Sequence, residues 1–141
     1  MELGPTTDAD HQLYEQHTGY RTTSDFKGIK AVDDKTGETI AVVGYDYWTP
    51  NAVQMHIWIK DMKALNGRVL MREAFAYPFE QAGRGVVIGT TPADNEACLA
   101  FTKWIGFVEL YRIKDGWSVG VDMVIQELRK ENCYWLKPCR I

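Results

Sequence analysis

Apolar and polar residues alternate over residues 53–60: Val53, Met55, Ile57 and Ile59 fall on one face, and Gln54, His56 and Trp58 on the other. That period of two is the mark of a β-strand. Two strands precede it, residues 28–32 and 39–48, the second rich in Val, Ile and Tyr. The polar turn 33–38 with Gly37 joins them, and Thr49-Pro50-Asn51 turns the chain into 53–60. Such short turns predict three consecutive antiparallel strands. Beyond the loop 61–66 the period changes: Leu70, Ala74 and Tyr77 form one stripe, widened by Met71 and Phe75, and predict a helix over about 67–81. Pro78 removes one of its hydrogen bonds and predicts a kink or a loosened last turn.

The next unit is compact. Val86, Val87 and Ile88 open a strand that reaches Thr91, and Thr90-Thr91-Pro92-Ala93 breaks it. Asp94 or Asn95 then caps a helix with Cys98, Phe101 and Ile105 on one face and Thr102 beside them. Gly106 supplies the left-handed stop, and Phe107 can fold back on the last turn. A closing hairpin follows: strand 107–113, turn Lys114-Asp115-Gly116-Trp117 and strand 118–127. Near the N-terminus, residues 10–17 predict a short helix begun by Asp8 or Asp10 and ended by Gly19, and the rest of the first 25 residues shows no clear pattern. The order is β-β-β-α-β-α-β-β, an α/β fold whose sheet is mixed and mostly antiparallel, with one crossover setting 86–91 parallel to 53–60. Without repeats or a flexible linker, residues 1–141 read as a single domain.

Composition narrows the function classes. The formal net charge of −3 argues against general nucleic-acid binding, which needs basic surface to displace counterions. No apolar run approaches the roughly 18 to 20 residues of a membrane span, and the acidic N-terminus is unlike a signal peptide, so a cytoplasmic protein without membrane contact is expected. The three cysteines, Cys98, Cys133 and Cys139, contain no C-x-x-C pair and indicate neither a disulfide framework nor a zinc site. Cys98 reads as a small core hydrophobe. The tail from Cys133 to Ile141 carries no legible role.

Asn95, Phe101 and Gly106-Phe107, followed by Val108-Glu109-Leu110-Tyr111-Arg112, resemble the C-terminal half of the GNAT superfamily of acyl-CoA N-acyltransferases. The likeness runs from about Gly28 to Leu136. It is closest to short phage and prophage acetyltransferases, through Tyr77-Pro78-Phe79, the run from Gly106 to Arg112 and the basic, aromatic residues 128–136. The family's first strand is not apparent here, which implies a truncated or altered substrate lid.

The resemblance implies that the central strands splay and that the pantetheine arm of acetyl-CoA lies in the gap. Ile57, Trp58 and Ile59 would supply backbone partners, and an N–H near Trp58 would stabilise the oxyanion. The pyrophosphate would sit at the start of the long helix, on Lys63, Asn66, Gly67, Arg68 and Val69. There the family's loop, Arg/Gln-x-x-Gly-x-Gly/Ala, is altered: Ala64 and Val69 stand in its first and last places. Asn95 would flank the pantetheine arm as well as cap its helix. Thr102 stands where many members carry a tyrosine general acid, so protonation of the leaving thiolate would fall to water.

For the base, His56 is the side chain on the splayed strand whose ordinary pKa lies nearest neutrality, and a structural role is the competing reading. Asp46 and Asp61 are weaker candidates, more often turn or surface residues. Tyr45, Tyr47, Trp48 and Trp58 would gather near the substrate side, as core packing or as a cation-binding wall. The implied function is transfer of acetyl from acetyl-CoA to a primary amine, by direct attack within a ternary complex. A protein lysine or N-terminus is slightly favoured over a small amine, because little sequence is left for a lid. A GNAT-fold binding protein without turnover, such as a phage structural or host-interaction protein, is the rival reading. The sequence does not fix an oligomeric state, a dimer being one option.

Overall fold

The computed structural model describes residues 1–137; the predicted tail lies partly outside the described residues, with Cys139 among those omitted. Seven strands form one sheet in the order β1-β2-β3-β4-β5-β7-β6. They are β1 (Glu2–Pro5), β2 (Lys27–Val32), β3 (Thr39–Asp46), β4 (Ala52–Ile59), β5 (Val86–Pro92), β6 (Val108–Ser118) and β7 (Val121–Arg129). Three α-helices accompany them: α1 (Asp8–Thr18), α2 (Val69–Ala76) and α3 (Glu96–Ile105). Among the described residues only β4 and β5 pair in parallel, as the crossover through α2 requires.

Alternation along β3 divides the core. Ala41, Val43 and Tyr45 join Leu70, Met71, Ala74 and Phe75 of α2 in the larger cluster, together with Ile105 of α3. Val42 faces the opposite way, into a smaller cluster with Tyr14 of α1 and Phe26. Thus α1 covers one face of the sheet and α2 the other.

Three expectations need correction. The first concerns β1, which exists and pairs antiparallel with β2 from Glu2↔Val32 to Pro5↔Ile29. It escapes a periodicity reading because it has four residues, two of them Gly4 and Pro5, and proline is admissible at a sheet edge. The second concerns the cap of α1, which is Thr7 and not Asp8 or Asp10. Its hydroxyl accepts from the Asp10 N–H while the Asp10 carboxylate accepts from the Thr7 N–H at 2.8 Å, a capping box.

The third concerns the last hairpin, which turns at Val119-Gly120 and not at 114–117. Gly120 takes a φ of +88°, and residues 114–117 are a bulge inside β6. Asp115, at φ +54°, holds the bulge: its carboxylate accepts from the Gly120 N–H at 2.9 Å and its own N–H donates to the Asp122 carboxylate at 3.0 Å. The Asp-Gly pair therefore bends a strand instead of reversing it. Pro78 behaves as expected, since the turn Tyr77–Gln81 loosens to a π-type closure with the Ala82 N–H on the Tyr77 carbonyl at 2.8 Å.

The seating of α1 on β3 depends on Gly44, where an added Cβ would stand 2.6 Å from Phe26 Cε2 and 2.9 Å from Tyr14 Cζ. Gly44→Ala should lower stability by about 1 to 3 kcal/mol, the cost of overpacking a filled site. Urea unfolding reads this directly, and an unchanged midpoint would contradict the close approach of α1.

Candidate functional site

Strands β4 and β5 pair only through Ala52↔Val86, Val53↔Val87 and Gln54↔Ile88. Beyond Gln54, β4 keeps β3 on one side, ending in Ala41↔Ile59, and has no β5 partner on the other. β5 meanwhile stays with β7, Thr91 facing Val124 and Pro92 facing Met123. The two strands therefore diverge, and polar backbone groups along Met55–Ile59 face the gap.

Polar side chains hold both walls of this gap. The Tyr20 hydroxyl donates to the Thr90 carbonyl at 3.0 Å, and Gln54 Nε2 donates to Thr90 Oγ1 at 3.1 Å. On the far side of β5, Gln126 accepts from Thr91 Oγ1 at 2.9 Å and donates from Nε2 to Thr102 Oγ1 at 2.6 Å, tying β5, β7 and α3 together. Thr102 is thus a structural link between α3 and the sheet.

A cavity of about 230 Å³ occupies the gap. His56, Ile57, Trp58 and Ile59 from β4 line it together with Asn95 at the head of α3, so five of the residues singled out in the sequence meet in one place. Because successive strand residues point to opposite faces, His56 and Trp58 border it from the α1 side and Ile57 and Ile59 from the α2 side. The cavity thus reaches both faces of the sheet. Asn95 caps α3, its Oδ1 accepting from the Cys98 N–H at 3.0 Å. Cys98 also lines the cavity, and burial raises its thiol above the ordinary range.

His56 is 7% exposed, and its ring stacks on Tyr20 with centroids 3.5 Å apart. Its Nε2 is buried without a hydrogen-bond partner among the described residues, as are Asp46 Oδ1 and the Tyr14 hydroxyl. Burial pushes the His56 imidazole down to about 4. Burial first, and the charge of Asp25 second, push the Asp46 carboxyl up to about 6. Asp46 sits opposite Gln54 and Gly44 opposite His56, so Asp46 and His56 are diagonal neighbours on the α1 face.

The start of α2 offers a different environment. Gly67 and Arg68 both take left-handed backbone, φ +74° and +64°, and α2 begins with no side-chain cap. Its first N–H groups are therefore available to an anion. A groove of about 300 Å³ here is lined by Gly67, Arg68, Val69, Arg72, Glu73, Trp135 and Lys137. Arg68 also donates to the Tyr134 carbonyl at 3.2 Å and lies 5.0 Å from the centroid of the Trp135 ring. Trp135 Nε1 in turn donates to the Ile105 carbonyl at 2.8 Å, so the tail bridges α2 and α3. Lys63 is elsewhere, paired with Asp33 at 2.8 Å, and Asn66 precedes Gly67 in extended backbone without lining either space. Asp61 caps the 3₁₀ turn Met62–Arg68 by accepting from the Lys63 N–H.

Of the expected aromatic cluster, only Trp58 lines the cavity. Tyr45 is fully buried and packs with Trp48 and Tyr77, and Tyr47 is 65% exposed. Other rings on the α1 side of the cavity are Tyr20, stacked on His56, His17, stacked on Trp58, and Trp117, edge-on to Tyr20. Tyr20 comes from the stretch without a clear pattern, His17 from the last turn of the predicted N-terminal helix, and Trp117 arrives through the bulge in β6.

No protein-family model and no curated protein sequence matches this chain. Solved structures do. A chimera of the Vibrio cholerae spermidine N-acetyltransferase SpeG and hSSAT is 13% identical with a TM-score of 0.75, over 96% of this chain and 98% of that one. The V. cholerae spermidine/spermine N-acetyltransferase SpeG in complex with manganese ions is 13% identical with a TM-score of 0.71, over 91% of each chain. A dodecameric structure of the spermidine N-acetyltransferase from V. cholerae is 12% identical with a TM-score of 0.74, over 96% of each chain. At these identities the likeness carries the architecture: the chain has the GNAT fold.

The two displaced ionisations have opposite consequences for stability. A buried carboxyl raised to about 6 binds more protons folded than unfolded between roughly pH 4 and 6, so its contribution falls as pH rises through that window. A histidine lowered to about 4 binds fewer protons folded than unfolded between about pH 4 and 6.5, so its contribution rises over nearly the same window. They offset one another in the native chain. Asp46→Asn should therefore leave a stability that climbs from pH 4 to 6.5, and His56→Gln one that declines from pH 4 to 6. Chemical denaturation across pH checks both, and parallel curves for the two variants would contradict the burial of these groups.

Proposed function

We propose that the protein is an N-acetyltransferase that moves the acetyl group of acetyl-CoA to a small primary amine, with both reactants bound at once. The observation that carries this reading is the cavity in the gap between β4 and β5, which reaches both faces of the sheet. A donor can enter from the side of α2 and α3, an acceptor from the side of α1, and they meet at the unpaired edge of β4.

On the donor side, backbone groups of Ile57, Trp58 and Ile59 pair with the amides of the pantetheine arm as a strand would. The groove at the start of α2 suits the phosphates, with uncapped N–H groups, Gly67 and the cations Arg68, Arg72 and Lys137. Asn95 borders the arm from α3.

The amine nitrogen attacks the thioester carbon, and the carbonyl oxygen takes the electron pair of its π bond as an oxyanion held by an N–H of β4 near Trp58. Attack leaves the nitrogen cationic and acidic, and His56 takes its proton. An imidazole lowered to about 4 stays neutral at ordinary pH and so is always ready to accept. It is a poor match for a free ammonium, however, so the acceptor loses its first proton to solvent and His56 acts at the attack step. Collapse of the oxyanion expels the thiolate, which is protonated by water, since a thiol with an ordinary pKa of about 8.5 needs little assistance.

The expectation of a protein acceptor rests on a missing lid, whereas the end of α1 and Tyr20 line the acceptor side of the cavity, with Tyr20 lying over His56. A wall there favours a small amine.

Thiol release with a panel of amines, after acetyl-CoA binding by calorimetry, tests the reading. His56→Gln should lower kcat by about 10²-fold or more with acetyl-CoA affinity unchanged. The acidic limb of kcat in the native protein should lie near pH 4, where the imidazole protonates, and not near 6.5. A limb near 6.5, or one that survives His56→Gln, would assign the proton to another group. Gly67→Val places a β-branched residue at φ +74° and should weaken acetyl-CoA binding by about 1 to 3 kcal/mol. Undiminished affinity would remove the α2 groove as the phosphate site.

A further inference from the structure

We infer that the acceptor is a primary monoamine bearing an aromatic ring, and not a polyamine; the inference rests on the transferase reading above. The α1 side of the cavity is walled by stacked rings. His17 lies on Trp58 with centroids 4.8 Å apart and planes 13° from parallel. Tyr20 lies on His56 at 3.5 Å and 23°, and Trp117 meets Tyr20 edge-on at 5.5 Å and 80°. These five rings, from α1, the segment after it, β4 and β6, converge on one opening.

A flat apolar group finds offset and edge-on partners in such a wall. A single cationic nitrogen can also be tolerated at ring faces until it loses its proton. A polyamine makes a different demand. Each additional ammonium taken from water needs a counter-charge, and none of the described residues lining the cavity is Asp or Glu. The buried carboxyl of Asp46 stands outside the lining and so supplies no counter-charge within it. The similar solved structures are spermidine acetyltransferases, so fold and wall chemistry point to different acceptors.

The test compares phenethylamine, propylamine and spermidine as acceptors, by thiol release and by calorimetry on the CoA-loaded protein. The expected result is a kcat/KM for phenethylamine at least tenfold above that for spermidine and above that for propylamine, and Trp117→Ala should narrow the gap between phenethylamine and propylamine. Spermidine turned over as well as phenethylamine, or better, overturns the inference. Tight phenethylamine binding with no thiol release from any amine upholds the aromatic wall as an aromatic-monoamine site while defeating the transferase reading. No phenethylamine binding and no turnover defeat both.

Discussion

The divergence of β4 from β5 after Gln54↔Ile88 is the constraint on which the rest of the molecule depends. Two adjacent parallel strands normally satisfy each other along their length, and separating them leaves backbone groups without partners. The chain sustains the separation by giving each strand a different loyalty. β4 stays with β3, while β5 stays with β7 over seven register pairs. Thr90 and Thr91 consolidate it from opposite faces, one through Tyr20 and Gln54, the other through Gln126 and Thr102. The unpaired edge of β4 is then a surface that an amide-bearing chain can complete.

The same architecture explains the unusual electrostatics on the α1 side. Tyr14 packs tightly over Gly44, and on the same face Asp46 Oδ1 and His56 Nε2 are buried without hydrogen-bond partners among the described residues. Leaving three buried polar atoms unpartnered costs stability that a wholly apolar layer would not. The outcome is an imidazole held neutral at the cavity and a carboxyl that resists ionisation. In the proposed mechanism a charged histidine there would be a poor proton acceptor, so the stability cost and the proposed chemistry share one cause, burial.

Much of this was legible in the sequence, and the parts that were not have identifiable reasons. The alternation of residues 53–60 located His56, Trp58 and their neighbours on opposite faces of one strand, and Asn95 was recognisable as a cap because its side chain acts on the adjacent turn. These signals are local. β1 was invisible because a four-residue edge strand with glycine and proline has no alternation to read. The Asp115-Gly116 pair is a favoured turn, yet Gly120 closes the hairpin five residues after Asp115, and the Asp115 and Asp122 carboxylates hold the intervening residues as a bulge. Tyr20, His17, Trp117, Arg72 and Lys137 reach the site only through tertiary packing. The expected aromatic cluster failed for the converse reason, since Tyr45 is taken into the core against Trp48 and Tyr77 and Tyr47 lies beyond the end of β3, largely exposed.

The central claim is that acetyl-CoA completes the open edge of β4. Hydrogen–deuterium exchange with and without acetyl-CoA tests it at the level of backbone amides. The account predicts that bound acetyl-CoA slows exchange within Ile57–Ile59 and at the first turn of α2, Val69–Met71, while β2 and the β6–β7 hairpin are unaffected. Saturating acetyl-CoA that leaves both segments unprotected, or protects others in their place, would contradict it.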